Sequence, residues 1–229
     1  MPTSTLSQPV SAVPQPKSRR GRRRLLIRGA AAALAVGGVA ATMWLGSSTE
    51  TRTASYTGVE SIVVDLGAGG ITLTGSAGPD VAVRTTLHSF FSREPVIEQS
   101  MTDGVLTIIG SCPAPNMNCG IDEELTVPAG VPVTLRLSAG EIQATQLDVP
   151  RFEAEVGSGR VEAAFVSPPD LVNIDAGTGE VVALLPDVGY RTDAGTSTGS
   201  TSIELRQDHD SQRSLRVHTG TGNVTLGGI

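Results

Sequence analysis

Residues 152–165 read Phe-Glu-Ala-Glu-Val-Gly-Ser-Gly-Arg-Val-Glu-Ala-Ala-Phe: apolar Phe152, Ala154 and Val156, a Gly157-Ser158-Gly159 turn, then apolar Val161, Ala163 and Phe165. Alternation of period two puts these side chains on one face of a strand and Glu153, Glu155 and Glu162 on the other, so one face is core and the other is wet. Glycine at both flanks of the turn tolerates positive φ, which lets the chain bend or reverse sharply there.

The phrase recurs. It reads Val133-Leu135-Leu137, Ser138-Ala139-Gly140, Ile142-Ala144; then Val172-Ile174-Ala176, Gly177-Thr178-Gly179, Val181-Ala183-Leu185; and last Leu215-Val217-Thr219, Gly220-Thr221-Gly222, Val224-Leu226. A looser copy runs Tyr190-Thr192-Ala194, Gly195 through Gly199, Thr201-Ile203-Leu205, and an earlier one Ile62-Val64-Leu66, Gly67-Ala68-Gly69, Ile71-Leu73. That makes six copies. First-strand starts at 133, 152, 172, 190 and 215 define a period of roughly 20 residues, the signature of a β-solenoid or β-helix-like stack of short strands whose units bury their inner faces against their neighbours. An ordinary sandwich with Gly-rich hairpins is the competing reading of short, regularly spaced strands. The last copy is followed only by Gly227-Gly228-Ile229, which predicts the final strand as an open edge available for edge-to-edge association.

The N-terminal stretch is built differently. Seven of the 17 basic residues (Lys17, Arg19, Arg20, Arg22, Arg23, Arg24 and Arg28) precede the first acid, Glu50, which leaves ten Arg against 23 acids beyond it and a formal charge of −13. An acidic remainder argues against nucleic-acid binding, because neutralising phosphates needs the opposite sign. Residues 1–24, Pro-rich and then basic, are expected to be a disordered cytoplasmic tail. Residues 25–46 hold the roughly 20 apolar positions a membrane-spanning helix needs, with Arg28 able to snorkel and Trp44 at the far interface. Arginines before the span and none directly after it place the N-terminus inside the cytoplasm. The same segment also reads as an export signal, and Arg22-Arg23-Arg24-Leu25-Leu26 loosely resembles a twin-arginine one. A single-pass cell-membrane protein is the first expectation and a secreted one the alternative; the rest of the chain is extracytoplasmic under both. Residues 47–58 are expected to be a linker, and 59–229 the ordered domain. Aromatic residues make up 3 % of the chain, which suits a narrow core of Val, Ile, Leu and Ala and disfavours platforms for stacking bases.

Few residues carry chemistry. Cys112 and Cys119, seven apart in a loop of turn formers and the only cysteines, are expected to pair as a disulfide in an exported domain. So short a loop constrains the chain locally. His88, His209 and His218 have no metal spacing, and His218 reads as an outward residue beside the Thr219-Gly220 turn. Asp208-His209-Asp210 lacks the glycine and glutamate of a calcium loop. The residues after the second turn glycine are Glu141, Arg160, Glu180, Ser200 and Asn223, which is no ladder of calcium ligands. Asp122-Glu123-Glu124 reads as a solvated face. No nucleophile elbow, phosphate loop or zinc-protease helix is present, so no catalytic, cofactor or metal residue is expected. The site residues singled out are therefore the cysteine pair and the turn glycines Gly67, Gly69, Gly140, Gly157, Gly159, Gly177, Gly179, Gly195, Gly199, Gly220 and Gly222.

The run Leu125-Thr-Val-Pro-Ala-Gly-Val-Pro-Val-Thr-Leu135, followed by Leu137-Ser-Ala-Gly140-Glu-Ile142 and the later Gly-x-Gly phrases, resembles the bacterial putative adhesin family of domains of unknown function, over about Ser61 to Gly228. The resemblance implies an all-β, solenoid-like exported domain, often tethered by one N-terminal helix, and supplies no catalytic residues. The chain departs from that pattern at the Cys112–Cys119 loop and in the stretched turn Gly195 to Gly199. The expected function is a non-enzymatic, membrane-anchored envelope or cell-surface module that binds through its polar outer face, with envelope proteins or cell-wall glycans as partners and no nucleic acid or cofactor. The alternatives are a single-pass envelope-stress accessory or sensor and, behind it, a polysaccharide-acting β-helix enzyme.

Overall fold

A computed structural model describes residues 47–90, 94–113 and 119–229; the tail and the apolar span read from residues 1–24 and 25–46 lie outside the described residues. Among those described, no helix is long and apolar enough to cross a membrane. The chain forms β1 (Ser47–Tyr56), β2 (Ser61–Ser76), β3 (Val81–Phe90), β4 (Val96–Thr102), β5 (Val105–Ser111), β6 (Gly120–Pro128) and β7 (Val133–Leu147). It continues with β8 (Arg151–Phe165), β9 (Leu171–Leu185), β10 (Arg191–Thr198), β11 (Thr201–Glu204), β12 (Ser214–Thr221) and β13 (Val224–Gly228). All thirteen belong to one hydrogen-bonded sheet, as the all-β expectation requires.

In β8 the alternation works as read: Phe152, Ala154, Val156, Val161, Ala163 and Phe165 are buried, while the residues between them face outward. The Gly-x-Gly element here bends the chain sharply, as read, but without ending the strand. Ser158 pairs with Ala139 of β7 on one side and Thr178 of β9 on the other, so the ladder carries through the corner; the copies in β2, β7, β8 and β9 are each one bent strand of 15 or 16 residues, while the last two copies are split into β10 and β11 and into β12 and β13. Only the second glycine takes the left-handed region. Gly159 has φ +148°, and a Cβ there would land on the carbonyl oxygen of Gly140. The chain turns a second time in the segments between strands, held by Val166 N–H to Leu147 O and Asp170 N–H to Pro150 O, both 2.8 Å. The bend at the glycines brings the two halves of each bent strand face to face. Phe152 and Phe165 of β8 meet edge-to-face, with ring centroids 5.5 Å apart and planes at 82°. The core is the space between the halves, filled mainly by Val, Leu, Ile and Ala, each fully buried larger side chain contributing about 1.5–3 kcal/mol.

Bent strands β2, β7, β8 and β9 lie parallel and in register, apart from a bulge in β7 between Ala144 and Leu147. The first halves continue with β5 and β4 at one end and β12 and β10 at the other. The second halves continue with β6, β3 and β1 at one end and β13 and β11 at the other. The pairings made by β1, β3 and β4 at the first end are antiparallel. An Asp103-Gly104 turn, with φ of +49° and +75°, closes the β4–β5 hairpin in the manner such two-residue turns favour.

Four expectations change. Residues 47–56, read as linker, are strand β1, which pairs with β3 from Ser47↔Phe90 to Tyr56↔Val81; its Thr- and Ser-rich sequence has no buried alternation because the strand covers an end of the sheet. The stack also departs from chain order, since β12 and β13 are inserted between β9 and the pair β10 and β11. The edge strands at that end are therefore β10 and β11, and the last strand in sequence is interior. Burial explains the order: Leu215, Val217, Val224 and Leu226 are fully enclosed, whereas the equivalent Thr192, Ala194 and Ile203 are half-exposed at the edge. Gly195, read as a turn glycine, pairs with His218 inside the strand; the corner of that layer is Ser197-Thr198-Gly199, with Gly199 against Gly222. Finally, β5 and β6 together make a further layer that the alternation pattern did not reveal, because the Cys112–Cys119 loop stands where the others carry their glycine corner.

Candidate functional site

Parallel registration turns scattered outward residues into rows about 4.8 Å apart across the strands. On the first-half face one row runs Thr134, Glu153, Asn173, Arg216, Asp193, and the next runs Arg136, Glu155, Asp175, His218, Gly195. These side chains are exposed or half-buried; Glu153 pairs with Arg151 of its own strand, and three further pairs run across strands. Arg136 Nε is 3.5 Å from Glu155 Oε2, Arg216 Nε is 3.5 Å from Asp193 Oδ2, and His218 Nε2 is 3.3 Å from Asp193 Oδ1. His218 thus has a partner that sequence spacing could not show, since 25 residues separate the two. Shallow grooves follow these rows: one of about 510 Å³ lies among Glu153, Asn173, Arg191, Asp193, Ser214 and Arg216, and one of about 220 Å³ among Thr134, Arg136, Glu155 and Asp175. The trough offers guanidinium donors (Arg136, Arg191, Arg216) and carboxylate acceptors (Glu153, Glu155, Asp175, Asp193) along neighbouring rows.

On the second-half face the residues after the corner glycines form a different row. Arg160 lies between Glu141 and Glu180 in register, and its guanidinium donates to Glu162 and Glu180. Those carboxylates hold it still more firmly protonated. Asn223 and Ser200 extend the row, with Asn223 Oδ1 accepting from Ser200 Oγ at 2.8 Å and from its backbone N–H at 3.1 Å. Among the described residues no group of His, Cys, Asp and Glu is arranged to hold a metal ion. Asp208-His209-Asp210 is a turn, with Asp208 Oδ1 accepting from Asp210 N–H at 3.0 Å.

Cys112 and Cys119 are joined by a disulfide across a Cα separation of 5.9 Å. Among the turn glycines, Gly69, Gly140, Gly159, Gly179, Gly199 and Gly222 share φ between +135° and +148°. Gly157, Gly177 and Gly220 form a second column where a Cβ would press on the carbonyl of the neighbouring layer. Gly67, with 3.8 Å to its nearest neighbour, and Gly195, with 3.9 Å, belong to neither.

The largest departure from the sequence reading is Glu123. The triplet Asp122-Glu123-Glu124 sits on β6, whose alternation sends the outer two acids to solvent beside His88 and Arg84 and the middle one into the core, 1 % exposed. Its register partners are Ile71 of β2 and Thr85 of β3. Thr85 Oγ1 lies 2.8 and 3.0 Å from its two carboxylate oxygens, Gln99 Nε2 of β4 donates to Thr85 Oγ1 at 2.8 Å, and Tyr56 O–H of β1 donates to Gln99 Oε1 at 2.9 Å. Among the described residues no cation compensates Glu123. Burial, with Asp122 adding like charge, pushes its carboxyl up to about 7 against the pull of the Thr85 hydrogen bond. Strict alternation along Ile121, Glu123 and Leu125 was the signal that placed it inside.

No protein-family model matches the chain, and no curated protein does. Solved structures are similar to it. A putative cell adhesion protein from Clostridium sporogenes superposes with a TM-score of 0.61 at 18 % identity, covering 80 % of this chain and 100 % of that one. A putative adhesin from Bacteroides fragilis matches at 15 % identity over 79 % of this chain and 97 % of its own, with a TM-score of 0.29. One from Parabacteroides merdae matches at 9 % identity over 79 % and 96 %, with a TM-score of 0.31. At 18 % identity the first of the three shows a shared fold.

Proposed function

We propose that the chain is a non-enzymatic, adhesin-like surface module: a β-solenoid domain anchored by the N-terminal apolar span, held outside the cytoplasm, and binding envelope proteins or cell-wall glycans through its polar first-half face. The observation that carries this reading is the in-register trough of Glu153, Asn173, Arg191, Asp193 and Arg216 over an apolar interior. Regularly spaced donors and acceptors on a rigid parallel sheet hold a repetitive polar polymer without a deep pocket. The shared fold with a protein named for cell adhesion supports the same reading.

The test uses the full chain in its own membrane. Glu155→Cys is labelled on intact cells with a membrane-impermeant maleimide; the two native cysteines are bonded to each other, so the added thiol is the target. Labelling is the expected result, and labelling only after lysis overturns the topology. In parallel, wild type and an Arg216→Glu, Arg136→Glu double variant are used to capture wall polysaccharide and envelope proteins. Retention by the wild type and its loss in the variant support the binding face, and equal retention by both removes it.

A further inference from the structure

The Tyr56–Gln99–Thr85–Glu123 chain holds every part of an acyl-transfer centre, and it lies apart from the outer trough. Thr85 supplies a hydroxyl nucleophile, 1 % exposed, in hydrogen-bond contact with both oxygens of a carboxylate that is equally buried. Gln99 supplies an acyl carbon beside it. Its Nε2 is 2.8 Å from Thr85 Oγ1, so Cδ, one amide bond of about 1.33 Å further, lies within about 4.1 Å of the nucleophile. Its carbonyl oxygen is held by Tyr56 O–H at 2.9 Å, where a donor stabilises charge developing on that oxygen. The four residues come from β1, β3, β4 and β6, all of them strands at the first end of the stack.

We propose that Thr85 and Gln99 join through an intramolecular ester, a self-made covalent cross-link between β3 and β4. Glu123 carboxylate takes the proton from Thr85 Oγ1 as that oxygen bonds to Gln99 Cδ, and the carbonyl π pair moves onto Oε1 against the Tyr56 hydroxyl. The intermediate then collapses, restoring the C=O bond and breaking Cδ–Nε2, while the proton passes from Glu123 to the departing nitrogen. The products are the Thr85–Gln99 ester, one ammonia, and Glu123 ionised as at the start. No oxidant or cofactor is consumed. Burial that brings the carboxyl to about 7 suits a group that acts first as base and then as acid near neutral pH. The enclosed position of Thr85 also keeps water from the product. The link would fasten the two faces together at an end where β4 is otherwise paired only to β5.

The reading is independent of what the outer face binds, and its test is a mass measurement on the full chain after disulfide reduction. Cleavage at arginine releases residues 85–93 and 94–136 as separate peptides unless the ester joins them. The expected result is a joined pair about 17 Da lighter than the two peptides summed, the mass of the ammonia lost, and separable by alkaline hydroxylamine, which cuts esters and leaves amides intact. Thr85→Val and Gln99→Ala should give two separate peptides, each at the mass of its own sequence. Glu123→Gln should do the same, while Thr85→Ser, which keeps a hydroxyl, should still show the joined pair and so separates lost chemistry from lost folding. Wild-type peptides recovered separately at their sequence masses would overturn the cross-link, and a joined pair in Glu123→Gln would overturn the role given to Glu123.

Discussion

Gly159 and Gly140 stand one layer apart, and the backbone carbonyl of Gly140 occupies the space a side chain on Gly159 would need. The same relationship repeats at Gly179 against Gly159, Gly222 against Gly179 and Gly199 against Gly222, so a column of glycines lines the corner of the stack. The corner is tight because the ladder passes through it without interruption. Two consequences meet there, since a substituent is excluded both by φ and by its neighbour.

Gly159→Ala should therefore cost about 3 kcal/mol, combining roughly 1–2 for an L-residue at positive φ with 1–3 for overpacking. Gly195→Ala, whose φ is ordinary and whose nearest neighbour is 3.9 Å away, should stay within about 0.5 kcal/mol of wild type. Denaturant unfolding of the two variants checks the contrast. Equal losses would mean that the glycines are not distinguished by the corner.

How far the fold was legible follows from residues like these. Apolar alternation along Phe152 to Val156 and Val161 to Phe165 is a local property, so the inner face could be read directly. Which layer sits on which could not, because each layer offers the same face to its neighbours and the choice rests on small differences in apolar content. The corner of the tenth strand was misplaced for a related reason: glycine marked both Gly195 and Gly199, and only pairing with β12 shows that one of them is an ordinary strand residue. The trough escaped the sequence entirely, since Asp193 meets Arg216 only through β10 lying beside β12.

Layer order itself can be tested. Leu215 is enclosed between layers, so Leu215→Ala should cost about 2–5 kcal/mol through lost burial and the cavity left behind. Thr192, its register partner in the edge strand, is half-exposed, and Thr192→Ala should change stability by less than about 1 kcal/mol. Were the sequence order also the spatial order, the C-terminal layer would be the edge and the ranking would reverse. Thermal melts of both variants decide it.

The disulfide lies at a corner, and its two cysteines are only seven residues apart. On the chain-entropy account a closure this short is worth about 2.5 kcal/mol, and a Cys112→Ser, Cys119→Ser variant should lose no more than that while keeping the strand content of the wild type. Circular dichroism and denaturant titration of the pair read both quantities. A collapse of β structure in the double variant would show that the corner, and not only the loop, depends on the bond.

Glu123 makes stability depend on pH in a direction opposite to most carboxylates. Its folded-state value, about 7, lies above the ordinary carboxyl value of 4.5 because burial disfavours the charged form. The stabilisation it allows is therefore complete below about pH 4.5 and is lost as pH rises through about 7. The groups around it do not reverse the sign. Thr85 faces it as a neutral hydrogen-bonding residue with Gln99 and then Tyr56 behind, Ile71 faces it from β2, and the charged Asp122, Glu124, His88 and Arg84 point outward on either side. Glu123→Gln should thus melt with a flatter pH profile between about pH 5 and 8, gaining relative to wild type on the alkaline side. If both proteins lose stability in parallel across that range, the buried carboxyl is not the group that titrates.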